Sequence, residues 1–367
     1  MTSAAKRLGL GAVAIAAASV GASAATQAPP PAAPRQPQAS TVSKPAPAVV
    51  PAPQYIRTRI DELGRAFDGR VGIAVKSIDD GWTTGWKEDE LYPQQSVSKL
   101  WVAITALDAV DKGRVRLDDR VTLTREDLTL FHQPIRALVL GNGGHTTTLR
   151  DLMEKAITTS DNTANDKLMR SVGGAEAVRR MLTSKRLGAI RFYDGERALQ
   201  SKIAGLLWSQ SYSIGSAFFE AREALPMSVR RAAFERYIAD PYDGASASAI
   251  AAALARLKRG ELLSPESTRR LLLTMGNTKT GANRLKGGLA PGWTLSHKTG
   301  TGQVLGSVQA GYNDIGILTA PDGRSYAVAV MIKRTSVPLP VRMTLMNNVV
   351  RAVINQHEML RGTLAER

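Results

Sequence analysis

The sequence predicts an α/β (α+β) fold, in which a mostly antiparallel five-stranded sheet is flanked by helices and joined to a helical lobe. Three observations predict it. Two strand-like runs lie near the start of the folded part, three lie near its end, and helical patterns fill about residues 95–275 between them. We therefore expect the two terminal segments to share one sheet.

Each element follows from a local pattern. Ile56, Ile60, Leu63 and Phe67 recur at helical spacing and predict an amphipathic opening helix. The predicted strands are residues 70–78, 83–87, 294–297, 308–318 and 326–333. Further helices are predicted at residues 101–110, 149–157, 163–172 and 342–357, and one begins at Ser264.

The first 24 residues have the pattern of a secretory signal peptide. Lys6 and Arg7 precede an apolar run, and small residues at 22–24 are typical of a cleavage site. The run is shorter than the ~20 residues that span a bilayer, so cleavage would leave no stable membrane anchor. We expect a periplasmic or secreted protein.

Residues 25–54 predict a Pro/Ala-rich linker before a folded domain at 55–367. They contain nine of the 18 prolines and no aromatic residue, so they cannot form a packed core. An inert linker and a spacer that threads the cell wall both fit this composition.

Composition excludes several classes of function. Without cysteine there is no disulfide scaffold, thiol nucleophile, Cys-ligated zinc or iron–sulfur cluster, and four scattered histidines predict no metal site. Residues 1–54 carry four of the positive charges and no negative one, so the net charge of +16 leaves +12 on the folded part. That charge suits an anionic ligand, but no basic block or basic–aromatic pattern predicts a nucleic-acid partner.

A candidate nucleophile lies at the start of the apolar helix. Ser96 and Lys99 are three residues apart, which places both side chains on one helical face. A serine hydroxyl needs a neighbouring base, and backbone N–H groups at a helix N-terminus can stabilise an oxyanion. The spacing alone is common, because Ser3 and Lys6 repeat it.

Two more motifs follow in order. Residues 160–162 (Ser-Asp-Asn) lie between two predicted helices, where these residue types could also simply cap a helix. Residues 298–301 (Lys-Thr-Gly-Thr) end a predicted strand, and Gly300 would let a ligand approach the backbone. A second Lys-Thr-Gly at residues 279–281 follows a helix and lacks the strand context.

In this order, the three elements match the serine, S-D-N and K-T-G motifs of penicillin-recognising serine enzymes. The chain resembles a class A serine β-lactamase over essentially all of residues 55–367, including "LYPQQSVSKL", "ITTSDNTAND" and "LAPGWTLSHKTGTG". The resemblance implies a β-lactamase/transpeptidase-like fold and hydrolysis of the β-lactam amide through a serine acyl-enzyme. It implies no cofactor, and we expect a monomer.

The resemblance also implies roles for the reacting residues. Ser96 would be the acylated nucleophile, with Lys99 as its proton partner. Ser160 would relay a proton to the leaving nitrogen, and Asn162 would bind the side-chain amide of the substrate.

The remaining implied contacts bind the other end of the substrate. Lys298 and Thr299 would bind its carboxylate, and the backbone N–H groups of Ser96 and Thr301 would form the oxyanion hole. Arg284 is similar to the additional cation that some members place before K-T-G, although its loop carries one extra residue.

Hydrolysis of the acyl-enzyme needs a second carboxylate, one that can activate water. Glu196 lies where the resemblance places the general base of the omega loop, although a surface glutamate paired with Arg197 is the alternative. Deacylation would use Glu196 and water, whereas the base for acylation is either Lys99 or Glu196 acting through water.

This loop departs from the family pattern. Gln200, the second residue expected to hold the hydrolytic water, stands in place of an asparagine. Its side chain is one methylene longer, which would displace the amide. Asp194 stands in place of an arginine that pins the loop by a salt bridge, and residues 201–245 are lengthened. These departures affect the deacylation rate and substrate range rather than the fold.

Two functions of different kinds remain open. The first is β-lactam hydrolysis, which Glu196 favours. The second is a D,D-peptidase or penicillin-binding protein acting on peptidoglycan, which the linker and the altered loop keep open. A non-catalytic binding module would be expected to lack Ser96, Lys99 or Lys298, and all three are present.

Overall fold

The computed structural model describes residues 50–365, so the predicted signal peptide and most of the predicted linker lie outside the described residues. The helices are α1 (Gln54–Ala66), α2 (Lys99–Asp111), α3 (Arg136–Gly141), α4 (Leu149–Thr158), α5 (Asn162–Ser171), α6 (Gly174–Ser184), α7 (Glu196–Ile203), α8 (Ala217–Ala224), α9 (Met227–Ala239), α10 (Ala247–Lys258), α11 (Pro265–Gly276) and α12 (Leu339–Ala365). The strands are β1 (Arg70–Ser77), β2 (Thr83–Trp86), β3 (Tyr92–Pro93), β4 (Arg120–Leu123), β5 (His145–Thr148), β6 (Gly244–Ala245), β7 (Thr294–Thr301), β8 (Val304–Leu305), β9 (Val308–Thr319) and β10 (Ser325–Thr335).

The main sheet confirms the prediction that both ends of the folded part pair with each other. Its strand order is β2-β1-β10-β9-β7, all antiparallel, and the two-residue β8 adds to β9. In the register Ile73 faces Val330 and Thr299 faces Asp314. The five predicted strands are therefore the five strands of this path.

The sheet separates two hydrophobic clusters because side chains alternate along each strand. In β10, Ala327, Ala329 and Met331 pack on one side with the helices that lie between β2 and β7. On the other side, Val328 and Val330 pack with α1 and α12. Burial on both faces explains why this strand has a continuous apolar sequence.

Several boundaries differ from the predicted ones. The strand predicted to end at His297 continues to Thr301, because the polar residues of this segment keep the ladder with β9. The last helix begins at Leu339 rather than Arg342. At the start, α1 already includes Gln54, and Ala52 is buried in the same cluster as α1. The packed domain therefore begins a few residues before the predicted boundary at residue 55.

The segment that the sequence predicts to be lengthened, residues 201–245, forms short helices on the helical side. It contains the end of α7, a 3-10 turn at Gln210–Ser213, α8 and α9. β6 then ends the segment by pairing with β3, just before the turn that carries Ser96. After these helices the chain therefore returns to the neighbourhood of the nucleophile motif.

Candidate active site

Ser96 lies in a 3-10 turn that leads directly into α2. The turn (Gln95–Ser98) places the Ser96 hydroxyl one helical turn from Lys99, and Lys99 Nζ donates to Ser96 Oγ at 2.8 Å. The residues of α2 from Lys99 to Ala109 are buried, as expected for a helix that is apolar on nearly all sides. The Lys99 side chain is consequently buried completely.

The Lys99 amine is surrounded by oxygen atoms. Beyond Ser96, it donates to Asn162 Oδ1 at 2.5 Å, to the Ser160 carbonyl at 3.0 Å and to Ser160 Oγ at 3.3 Å. The carboxylate oxygen Glu196 Oε1 lies 3.1 Å away. A buried cationic side chain needs such partners, so these contacts hold the predicted residues together.

The S-D-N segment both caps a helix and forms part of the site. Asp161 Oδ1 accepts from the Ala164 N–H at the start of α5, and Oδ2 accepts from the Ile135 N–H at 2.6 Å. Burial raises the pKa of the Asp161 carboxyl, and these N–H groups oppose that shift. Ser160 has a φ of +60°, in the left-handed region, and with Asn162 it lines the cleft.

Lys298 also reaches Ser160, from β7. On β7, its amine donates to Ser160 Oγ at 2.9 Å and to the Thr299 carbonyl at 2.9 Å. Complete burial holds the pKa of Lys298 well below its usual range, and the charge of Lys99 adds to this effect. Ser160 Oγ thus lies between two amines, which suits a hydroxyl that passes protons.

Arg284 supports the far wall of the cleft. Its guanidinium donates to the carbonyls of Gly300 at 3.0 Å and Asn313 at 2.7 Å, and to Thr301 Oγ1 at 2.6 Å. It also stacks on Tyr312, 3.8 Å from the ring centre. The predicted additional cation is therefore in the wall, where it holds the β7 backbone.

The second Lys-Thr-Gly copy also reaches this wall. The hydroxyls of Thr280 and Thr299 are 2.7 Å apart, and Thr280 lines the cleft. The copy lies outside any strand, as predicted, but its threonine belongs to the site.

Glu196 begins α7 and is buried rather than exposed. Its backbone N–H donates to both carboxylate oxygens of Asp166, at 3.0 and 3.2 Å. Burial first, and the charge of Glu196 second, raise the pKa of Asp166 to about 6. Arg197 instead donates to the Leu128 carbonyl at 2.9 Å, so the alternative of a surface Glu196–Arg197 pair is wrong.

Gln200 contacts the Glu196 carboxylate and two other glutamines. Its Nε2 donates to Glu196 Oε2 at 3.2 Å and to Gln95 Oε1 at 2.9 Å, while its Oε1 accepts from Gln303 Nε2 at 3.0 Å. The longer side chain is thus engaged on the Glu196 carboxylate itself. Asp194, where the resemblance would place an arginine, forms an exposed ion pair with Arg179 at 2.9 Å.

These residues surround one cleft with a volume of about 540 Å³. Of the predicted residues, Ser96, Ser160, Asn162, Glu196, Gln200, Arg284, Thr299 and Thr301 line it. Lys99 and Lys298 complete the set through their hydrogen bonds to Ser96 and Ser160.

Sequence reasoning missed several other members of the cleft wall. They are Phe131, His132, Phe219, Arg222, Gly302, Gln303 and Val304. Phe219 and Arg222 belong to α8, in the lengthened segment, where no motif marked them. Asp166 could have been found, because it follows Asn162 by one helical turn.

The described residues contain neither a helix that could cross a membrane nor a cluster of side chains suited to a metal ion. The side chains that line the cleft carry hydroxyl, amide, carboxylate, guanidinium and imidazole groups, and the amines of Lys99 and Lys298 reach it through Ser96 and Ser160.

Comparisons with known proteins agree with this geometry. The model of the beta-lactamase enzyme family matches residues 55–357. Beta-lactamase VEB-1 of Pseudomonas aeruginosa is 24% identical over 300 residues, which cover 82% of this chain and 89% of that protein. Extended-spectrum beta-lactamase PER-1 of Pseudomonas aeruginosa is 28% identical over 279 residues, covering 76% of this chain and 79% of that protein.

Solved structures give the same result. A beta-lactamase from Chitinophaga pinensis aligns with a TM-score of 0.67 at 26% identity, covering 82% of this chain and 98% of that one. An ancestral class A beta-lactamase aligns with a TM-score of 0.66 at 30% identity, covering 82% and 99%. This chain belongs to the beta-lactamase enzyme family, in class A.

Proposed function

We propose that this protein hydrolyses β-lactam antibiotics through an acyl-enzyme on Ser96. The observation that carries the proposal is the position of the Lys99 amine, 2.8 Å from Ser96 Oγ and 3.1 Å from Glu196 Oε1. One buried amine thereby connects the nucleophile to the Glu196 carboxylate. Hydrolysis of an acyl-enzyme requires such a carboxylate, whereas acylation alone does not.

In the acylation step the reacting form of Lys99 is the neutral amine: Ser96 Oγ attacks the lactam carbonyl carbon, and its proton passes to the free electron pair of Lys99 Nζ, 2.8 Å away. The backbone N–H groups of Ser96 and Thr301 stabilise the oxyanion. The lactam C–N bond then breaks, and the nitrogen takes a proton from Ser160. Lys298 or Lys99 returns that proton, since both amines contact Ser160 Oγ.

Substrate orientation comes from both ends of the cleft. The carboxylate of the substrate binds beside Lys298 and Thr299, near the positive charge of Arg284. Its acyl side chain lies towards Asn162. The amide of Asn162 is held by Lys99 at its oxygen and by the Leu130 carbonyl, which its Nδ2 reaches at 2.9 Å.

In deacylation, Glu196 removes a proton from water while the water oxygen attacks the ester carbonyl. The bond from that carbonyl carbon to Ser96 Oγ breaks, and Ser96 regains its proton through Lys99. Gln200, bonded to Glu196 Oε2, keeps the carboxylate directed into the cleft.

The protein acts as an exported monomer, released into the periplasm or secreted. The pattern of residues 1–24 supports export, and the proline content of residues 25–54 supports a linker between the leader and the enzyme.

The test follows turnover by the purified protein with excess chromogenic cephalosporin, and in parallel with a peptide ending in D-Ala-D-Ala. We expect many equivalents of cephalosporin to be opened and the peptide to remain intact. Ser96→Ala abolishes turnover, whereas Ser98→Ala, which removes a neighbouring hydroxyl that donates to the Gln95 carbonyl, retains it. A single equivalent of opened cephalosporin with cleavage of the peptide would instead establish a D,D-peptidase.

A further inference from the structure

A chain of buried hydrogen bonds connects Asp243 to the catalytic side of the cleft. Asp243 lies just before β6, at the end of the lengthened segment, and is 1% exposed. Its Oδ1 accepts from the Tyr237 hydroxyl at 3.0 Å, and its Oδ2 accepts from the Gln95 backbone N–H at 2.7 Å. Neither acid nor phenol has a role in the proposed reaction.

The carboxylate fixes the direction of each bond that follows. In its ionised form the Asp243 carboxylate only accepts, so the Tyr237 hydroxyl donates to it and the phenol oxygen accepts from Gln95 Nε2 at 2.6 Å. This leaves Gln95 Oε1 as an acceptor for Gln200 Nε2 at 2.9 Å.

The last link reaches Glu196. Gln200 Nε2 donates to Glu196 Oε2 at 3.2 Å, and Gln200 Oε1 is occupied by Gln303 Nε2. Rotation of the Gln200 amide by 180° would place two acceptors against each other at Gln95 and at Glu196. This series of hydrogen bonds therefore holds Gln200 with its NH₂ group towards the Glu196 carboxylate.

The same carboxylate also supports the backbone beside the nucleophile. Gln95 has a φ of +54°, a left-handed conformation that costs a non-glycine residue energy unless its surroundings hold it. The Gln95 N–H is held by Asp243 Oδ2. Burial raises the pKa of Asp243 to about 7, and the bonds from Gln95 and Tyr237 oppose that shift.

We infer that Tyr237 and Asp243 are positioning residues, which act through Gln95 and Gln200 to orient the Glu196 carboxylate for deacylation. This inference rests on the proposed function, because it assigns the effect to the step that Glu196 performs. Through Tyr237, α9 thus supports the carboxylate that deacylates the enzyme.

The experiment measures acylation and deacylation rates separately in the full-length protein, by stopped-flow acylation and by decay of the isolated acyl-enzyme. Tyr237→Phe removes one hydroxyl and keeps the ring. We expect deacylation to slow about tenfold, below the hundredfold cost of a 1 Å misplacement, and acylation to stay unchanged.

Tyr242→Phe is the matched control. The Tyr242 ring packs 5.9 Å from that of Tyr237, but its hydroxyl is not a member of the chain. It should leave both rates unchanged. Gln95→Met breaks the next link, and the double variant should lose no more deacylation than the stronger single variant, because the bonds act in series.

Equal losses of acylation and deacylation, or an unchanged deacylation rate in Tyr237→Phe, would overturn the inference while the proposed function stands. If Tyr237→Phe does not fold, Gln95→Met carries the same test. A wild-type protein without deacylation would overturn the proposed function and this inference together.

Discussion

The Glu196 carboxylate lies 3.1 Å from the Lys99 amine, and both side chains are almost entirely buried. Removing one member of a buried ion pair leaves the other uncompensated, at a cost of about 3–5 kcal/mol. The same contact brings together a residue one helical turn from the nucleophile and the residue that begins α7. The stability and the chemistry of this site therefore depend on the same pair, so variants at Glu196 should preserve its shape.

Asp166→Asn should stabilise the protein in a pH-dependent way. The pKa of Asp166 is raised to about 6, so the folded state binds this proton more tightly than the unfolded chain. Wild-type stability should consequently fall as the pH rises from about 4 to about 6, by roughly 3 kcal/mol at most, and stay lowered above that. The asparagine carries no charge and keeps an acceptor for the Glu196 N–H.

The measurement is urea unfolding of both proteins between pH 4 and pH 8. The free-energy advantage of Asp166→Asn should be near zero at pH 4 and reach its maximum above pH 6. An advantage that does not change with pH would contradict the assignment of a buried, titrating carboxyl at this position.

Gly195→Ala should disturb the segment that delivers Glu196. Gly195 has a φ of +88°, and an added Cβ would lie 2.8 Å from Met169 Cε and 3.0 Å from Asp166 Oδ1. The positive φ alone costs an alanine about 1 kcal/mol of stability, and the close contacts of its Cβ cost about 1–3 kcal/mol more. Deacylation should slow as well, because Asp166 holds the N–H of Glu196.

Gly81→Ala separates the cost of a positive φ from the effect of close packing. Gly81 has a similar φ of +84°, but nothing lies within 4 Å of an added Cβ. It should show only the backbone cost in thermal unfolding and normal deacylation kinetics. If the two variants behaved alike, close packing around Gly195 would not be what constrains the loop.

Arg222 should favour substrates with an acidic acyl side chain. From α8 it lines the cleft, its Nη2 donates to the Val304 carbonyl at 2.7 Å, and its Nε is buried without a partner among the described residues. We compare kcat/KM for two penicillins that differ only in a side-chain carboxylate. Arg222→Gln should lower the carboxylate-to-neutral ratio about tenfold, the value of one charge-assisted hydrogen bond.

Arg230→Gln is the control for net charge. Arg230 also has a buried Nε without a partner among the described residues, but it lies on α9 and does not line the cleft. The carboxylate-to-neutral ratio of kcat/KM in Arg230→Gln should match that of the wild type. A similar drop in both variants would indicate a general effect of charge rather than a contact with the side chain.

The sequence was sufficient to predict the parts of the site that depend on local spacing. Ser96 and Lys99 share one helical turn, Asp161 caps α5 as its residue type suggests, and the two ends of the folded part pair in one sheet. Such relations follow from the geometry of single helices and strands, together with the order of three motifs.

The contacts made by the lengthened segment could not be predicted. Tyr237 bonds to Gln95 although 142 positions separate them, and no sequence motif distinguishes this tyrosine of α9 from Tyr242, which follows the helix. Gln200 lies between three other side chains, and this position depends on Gln95 and Gln303, which come from separate parts of the chain. Their meeting depends on tertiary packing rather than on any pattern.

The most direct test of the central claim is the intact mass of Glu196→Gln after mixing with a penicillin. Glutamine keeps the size of Glu196 and the acceptor for Lys99, but it cannot accept a proton from water at neutral pH. The proposed mechanism predicts that the whole population gains the mass of one intact penicillin, that the adduct lies on the peptide containing Ser96, and that it persists for minutes to hours. The wild-type protein should show no adduct once the substrate is consumed. Rapid loss of the adduct from Glu196→Gln, at the wild-type rate, would show that another group deacylates the enzyme and would contradict the account.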